Sequence, residues 1–370
     1  MTTSSQTISR LDRADALAMC RELSIHDLGR RAHEACMRLH PERYRTYVVD
    51  RNINYSNICV AGCDFCDFSV NPDSKEGYVL SYEQIGRKID ELAAIGGTQV
   101  LLQGGLVPPA VLDFEWYLGL MRFIKGRWPA IHIHGFSPPE ITAFSQWFGL
   151  SVRDVLARLR DAGLDTIPGG GAEILVDRVR RRIGPHKVDT AGYLEVMRQA
   201  HLLGMRTSAT MMFGHVETVA ERIEHLERIR QLQDETGGFT AFILWTFQPG
   251  TTRLGRTEQA KAGSAPDGEQ LHLGGACEYL RMLAVARLFL DNVSNLQASW
   301  VTQGPRVGQL SLFFGANDMG SVMMEENVVA AAGTTYRLTE QQICRLIADA
   351  GFRPAKRNCY YQILSESLKY

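Results

Sequence analysis

The chain has 370 residues, 45% of them hydrophobic, enough to bury a large core as one α/β domain or two smaller ones. Its net charge of −1 argues against a nucleic-acid-binding surface as the main function. The polar start, Met1 to Arg10, lacks the apolar run of a signal peptide and no later segment has the length of a membrane span, so the expected location is the cytoplasm.

An N-terminal helical extension is expected over residues 1–50, with a helix Ile25–Leu39 capped by Ser24 and closed before Pro41. From Arg51 the pattern changes to short strands alternating with longer helices, and residues 51–370 read as the main domain with a C-terminal strand and helix segment. Strands are predicted at Ile53–Val60, Thr98–Gln103, Ile131–His134, Leu164–Ile167, Thr207–Phe213, Phe239–Phe247, Asn295–Thr302 and Gly320–Met324. The helices between them include Ser81–Leu92 behind a capping box, Val111–Gly126, Val152–Ala162, Ala191–Leu203, Thr218–Thr236 and Tyr279–Leu290. Ser137-Pro-Pro-Glu140 reads as a helix start in which Glu140 is used in the cap. Eight alternating units at this length predict a (βα)8 TIM-type barrel.

Three of the eight cysteines fall in Cys59-Val-Ala-Gly-Cys-Asp-Phe-Cys66. Clustered thiols without secretory features point to metal or redox chemistry, and three thiolates on a four-iron cluster keep one iron open. Zinc needs a fourth ligand, and no His lies between Asn57 and Val100. A buried helix would also place these cysteines on one face, but Ala61-Gly62 and the polar Asp64 and Asp67 make a poor core helix. The scattered Cys20, Cys36, Cys277, Cys344 and Cys359 are expected to be reduced and buried.

At the C-terminal strand ends, where barrel chemistry sits, polar and glycine residues gather: the cysteine loop, Gln103-Gly104-Gly105, His134 to Ser137, Gly169 to Glu173, Gly214 to Glu217 and Glu325-Glu326. The polar stretch Gly250–Gly275 reads as a mobile connection over this mouth or as plain surface disorder. The basic run Arg178–Lys187 reads as a solvated helix face.

Cys59, Cys63 and Cys66, with Phe65 directly before the third, resemble the cluster signature of radical S-adenosylmethionine (radical SAM) enzymes. The resemblance implies a [4Fe–4S] cluster whose open iron takes the amino and carboxylate groups of S-adenosylmethionine, and an external electron donor such as flavodoxin or ferredoxin. It places Phe65, Gln103, Gly104, Gly105, His134, Ser137 and Glu173 at that cofactor, with Glu173 on the ribose hydroxyls. Where the family pattern has Gly-Gly-Glu, Leu106 follows Gly105, so backbone carbonyls are left to receive the amino group.

The ordered set Arg51–Ser56, Thr98–Gly105, His132–Glu140, Ile167–Glu173, Met211–His215, Asn295–Trp300, Phe314–Asn317 and Met324–Val329 further resembles the cyclic dehypoxanthine futalosine synthase family of menaquinone biosynthesis. That implies a small-molecule substrate, dehypoxanthine futalosine. A 5′-deoxyadenosyl radical takes its ribose C4′ hydrogen, and the carbon radical adds to the benzoate ring. Tyr78, Glu173 and His215 are the expected catalytic residues, Tyr78 as the final base and Arg306 against the benzoate. An aminofutalosine synthase or a deazaflavin (FO) synthase subunit would share the cluster motif, and a non-catalytic iron–sulfur electron carrier is the reading from another class.

Overall fold

The computed structural model describes residues 10–262, 274–333 and 336–366. Two N-terminal helices, Arg13–Glu22 and Ile25–Leu39, pack on the helices Val219–Thr236 and Ala276–Phe289 at the outside of a parallel sheet. The strands are β1 (Tyr44–Val48), β2 (Asp50–Asn54), β3 (Gln99–Gln103), β4 (His132–Gly135), β5 (Thr166–Ile167), β6 (Arg206–Phe213), β7 (Phe239–Thr246), β8 (Asn295–Gln297), β9 (Asp318–Ser321), β10 (Arg353–Arg357) and β11 (Ile363–Glu366).

Their order is β11-β10-β1-β9-β8-β7-β6-β5-β4-β3-β2. Because only Val49 separates β1 from β2, the two are one kinked strand that pairs β9 at its start and β3 at its end. The kink closes the ring: the Val48 carbonyl accepts from Val322 N–H and the Val49 carbonyl from Thr98 N–H, each at 3.1 Å. Counting β1 and β2 as one strand, the ring has the eight parallel strands that the alternation predicts.

The first strand lies earlier than the expected Ile53–Val60. Asp50, Asn52 and Asn54 face the barrel interior, so its inward positions are polar and hide the alternation that marks a half-buried strand. The seventh unit also differs: Asn295–Gln297 is a strand, but Trp300–Gln303 is a helical turn.

β10 runs along β1 with Tyr44 opposite Arg353, and β11 returns antiparallel to it. The residues between them cross the N-terminal end of the barrel. There the Cys359 thiol meets Thr166 Oγ1 at 3.5 Å and the Tyr360 ring stands edge-on to His132 at 5.0 Å. Among the described residues no helix is long and apolar enough to cross a membrane.

The stretch expected as a mobile or disordered connection from residue 250 instead starts a helix, Arg253–Ala262, and residues 263–273 lie outside the described part. All eight cysteines are free, but Cys20, on the helix Arg13–Glu22, is half-buried, and Cys277 is exposed because the first turn of the helix Ala276–Phe289 faces outward.

Candidate active site

A cavity of about 480 Å³ runs from the cysteine loop to Arg357, Cys359 and Tyr361 at the barrel floor. Cys59, Cys63 and Cys66 line its upper end. The loop carrying them folds back by Gly62 at φ +60° and is tied to its surroundings through Asp64. Asp64 N–H donates to Ile183 O at 2.8 Å, its carbonyl accepts from Leu254 N–H at 2.7 Å, and its carboxylate lies between Arg182 and Arg253. Cys59 Sγ accepts from Ala61 N–H at 3.4 Å and Leu106 N–H at 3.2 Å, both suited to a thiolate.

The donor set fits an iron–sulfur cluster. Burial pushes the Cys63 thiol up to about 12 despite Lys187, and raises Cys59 as well, so thiolates at these two positions call for the charge of a metal beside them. Among the described residues no three Cys, His, Asp or Glu side chains form a single-ion site, which leaves the zinc reading without a ligand set.

Beside the loop, the end of β3 passes in close contact. A Cβ on Gly104 would stand 2.3 Å from the Tyr55 ring, and one on Gly105 would stand 2.2 Å from Ile58 O and 2.6 Å from Cys59 Cβ. These glycines serve close approach rather than a turn. Of the backbone carbonyls expected to receive the amino group, Gln103 O already accepts from Tyr55 N–H and Gly105 O from Val107 N–H.

The carboxylate at this strand end is Glu140, which the sequence reading assigns to a helix cap. It accepts from Tyr55 OH and Ser137 Oγ, each at 2.6 Å, and from Gly104 N–H at 3.3 Å, while Ser137 makes no side-chain cap. Burial raises Glu140 to about 7 against these hydrogen bonds. Gln103, His134, Ser137, Glu140 and Phe65 all line the cavity.

Glu173 also lines it, with φ at +40° and a side chain paired to Lys187 Nζ at 2.8 Å. Lys187 Nζ lies 5.3 Å from the centre of the Phe65 ring. Arg180 holds both partners in place, donating to Gly171 O and Ala172 O before Glu173 and to Val188 O after Lys187. The basic run is therefore a solvated face only in part: Arg178 and Arg181 are exposed, whereas Arg180 is buried and Lys187 enters the site.

His134 donates or accepts at Thr166 Oγ1 through Nδ1 at 2.7 Å, and burial lowers it to about 3, so it is a neutral ring. Three expected residues do not reach the cavity. Tyr78 turns its hydroxyl to Asn54 O at 3.3 Å, and burial raises that phenol, the opposite of the activation a base needs. His215 is buried in its own turn, with Nε2 at Met212 O and Nδ1 taking Val216 N–H. Arg306 is exposed on the outer side of the helix Pro305–Ser311. Of the acidic pair after β9, Glu325 binds Arg51 and Lys88, and Glu326 lines the cavity while accepting from the N–H groups of Val328, Val329 and Ala330.

The radical SAM superfamily model matches residues 53–229 and the CofH/MqnC C-terminal region model matches residues 236–369. Cyclic dehypoxanthine futalosine synthases of Halalkalibacterium halodurans and Streptomyces coelicolor are 43% and 42% identical, each over 96% of this chain and over 92% and 86% of their own. The chain belongs to the radical SAM family that carries this C-terminal region. It is a radical SAM enzyme whose cofactors are a [4Fe–4S] cluster and S-adenosylmethionine. A second group of relatives has a different name: the 5-amino-6-(D-ribitylamino)uracil–L-tyrosine 4-hydroxyphenyl transferase of Methanopyrus kandleri is 38% identical over 95% of this chain and 93% of its own. The fold is shared with the FeFe-hydrogenase maturase HydG of Carboxydothermus hydrogenoformans (TM-score 0.73, 16% identity, 95% of this chain and 77% of that one). It is also shared with methylornithine synthase, PylB (TM-score 0.68, 19% identity, 94% of each chain).

Proposed function

We propose that this enzyme converts dehypoxanthine futalosine to cyclic dehypoxanthine futalosine in the cytoplasm, supplied with single electrons by a flavodoxin or ferredoxin. The observation that carries the reading is the 43% identity to a cyclase over 96% of the chain. When bound, the cluster and S-adenosylmethionine supply a carbon radical able to take a ribose C4′ hydrogen.

The chain's own residues do the rest. Cys59, Cys63 and Cys66 would hold the cluster, and Glu173, paired with Lys187 at 2.8 Å beside Arg180, would take the hydroxyls of the adenosyl ribose. The barrel encloses the substrate below them and keeps water from the carbon radical. After ring closure an electron and a proton have to leave the former benzoate ring, the electron going back to the one-electron carrier that supplied the first. Glu140 is the better base than Tyr78, since it faces the cavity and its raised carboxyl lies near neutral pH.

A second reading, transfer of the hydroxyphenyl group of tyrosine to 5-amino-6-(D-ribitylamino)uracil, is favoured by relatives up to 43% identical over 86% of the chain. An anaerobic assay of the reduced enzyme with S-adenosylmethionine decides between them. The cyclase gives 5′-deoxyadenosine and a product two hydrogens lighter than dehypoxanthine futalosine, with C4′ deuterium appearing in the deoxyadenosine. Turnover of tyrosine with the uracil, and none of the futalosine, sinks the first reading.

A further inference from the structure

β2 and β3 carry a group of polar residues that neither the cluster nor the S-adenosylmethionine contacts use. Asp50 and Asn52 lie two apart on β2 and so share its inward face, and Gln99 stands opposite Asp50 on β3. All three line the cavity and are buried, at 7%, 5% and 4% exposure. The Asp50 carboxylate is occupied: Ser321 Oγ donates to one oxygen and Gln99 Nε2 to the other at 3.1 Å.

What remains are two amide oxygens, Asn52 Oδ1 and Gln99 Oε1, without a hydrogen-bond partner among the described residues. A buried acceptor left unpaired costs the fold its desolvation and returns nothing. Two of them on adjacent strands, in side chains that line one cavity, match a ligand that brings two donors. Neutral amide oxygens suit O–H groups better than a cation, because the one carboxylate in reach already has its partners and burial raises its pKa.

We propose that Asn52 and Gln99, braced by Asp50, form a hydroxyl-binding subsite that takes the sugar end of the substrate, an inference that rests on the cyclase reading above. The ribose then lies with its hydroxyls toward the β2–β3 wall, which fixes the sugar against rotation while its C4′ hydrogen is removed.

The test uses the reconstituted holoenzyme and Asn52→Leu, of similar volume. Because the Asn52 carbonyl makes no bond in the free protein, the melting temperature of Asn52→Leu should stay level or rise. The KM for dehypoxanthine futalosine should rise about tenfold, the loss expected for one hydrogen bond. S-adenosylmethionine binding, read as the change in the cluster's paramagnetic resonance signal, should not move. An analogue lacking the engaged ribose hydroxyl should show the same loss with wild type and none with Asn52→Leu. A lower melting temperature with unchanged KM makes Asn52 a structural residue and overturns the proposal, as does equal KM for every deoxy analogue with wild type. If wild type neither binds nor converts dehypoxanthine futalosine, the cyclase reading fails by itself. The subsite is then probed with D-ribose, which must raise the melting temperature of wild type and not of Asn52→Leu; no shift in wild type overturns it.

Discussion

Burial pushes the Cys63 thiol up to about 12, so its thiolate calls for the charge of a metal beside it. Cys63→Ala is expected to abolish both iron incorporation and turnover, read from iron content and the visible spectrum after reconstitution. Gly105→Ala tests close approach: its Cβ would meet backbone and cysteine atoms that cannot yield cheaply. The variant should keep its far-ultraviolet dichroism yet take up much less iron, and normal iron content would disprove the contact's importance. Glu140 gives a pH dependence. Its folded carboxyl, about 7, lies above the ordinary value of 4.5, so the folded state binds the extra proton between those values. The associated stability is present below the lower value and is lost as pH rises through the upper one, by about 3 kcal/mol. Melting curves should therefore fall from pH 5 to 8 in wild type, and Glu140→Gln should lack that part of the slope.

At the level of elements, the cluster loop is held from two sides. The helices Asp177–Ile183 and Arg253–Ala262 both reach Asp64, one through Arg182 and the other through Arg253 and the Leu254 N–H. Arg253 is 65% exposed, so its pair contributes little to global stability and acts on the loop's position. Asp64→Ala should leave the melting temperature nearly unchanged while the protein loses iron on gel filtration and the 253–262 helix exchanges its amide hydrogens faster. A large drop in melting temperature with the cluster retained would contradict this division of roles.

Across the whole molecule, the C-terminal segment acts as the barrel's floor. Arg357 reaches Asp318 of β9 through two hydrogen bonds, at 2.5 and 2.9 Å, with both side chains almost fully buried. Arg357→Met strands a buried carboxylate and should cost about 3–5 kcal/mol of stability, measured by denaturant titration. Adding Asp318→Asn should restore part of the loss, because the unpaired charge is then gone. If the single variant were as stable as wild type, the floor would not depend on this pair.

Local signals in the sequence determined a good deal. The helix Val152–Ala162 has its predicted limits because Ser151 caps it and Gly163 ends it, and the helix after Thr218 begins at its capping box. The cluster loop was legible because three thiols at fixed spacing are a chemical statement made within eight residues. The tertiary structure decided whatever depends on which distant groups meet. Strand one was misplaced because its inward face is polar, and its kinked closure of the ring exists only once β3 and β9 are in position. Lys187 reads as one charge among many until the fold lays it on Glu173, and Glu140 reads as a cap until Tyr55 and Gly104, just past the ends of β2 and β3, meet it. His215 follows a strand end in sequence and Tyr78 follows the cluster loop, yet the His215 ring turns into its own turn and the Tyr78 hydroxyl to Asn54 O. Spacing along a chain fixes what a residue is able to do; burial and partners, which come from other elements, fix what it does.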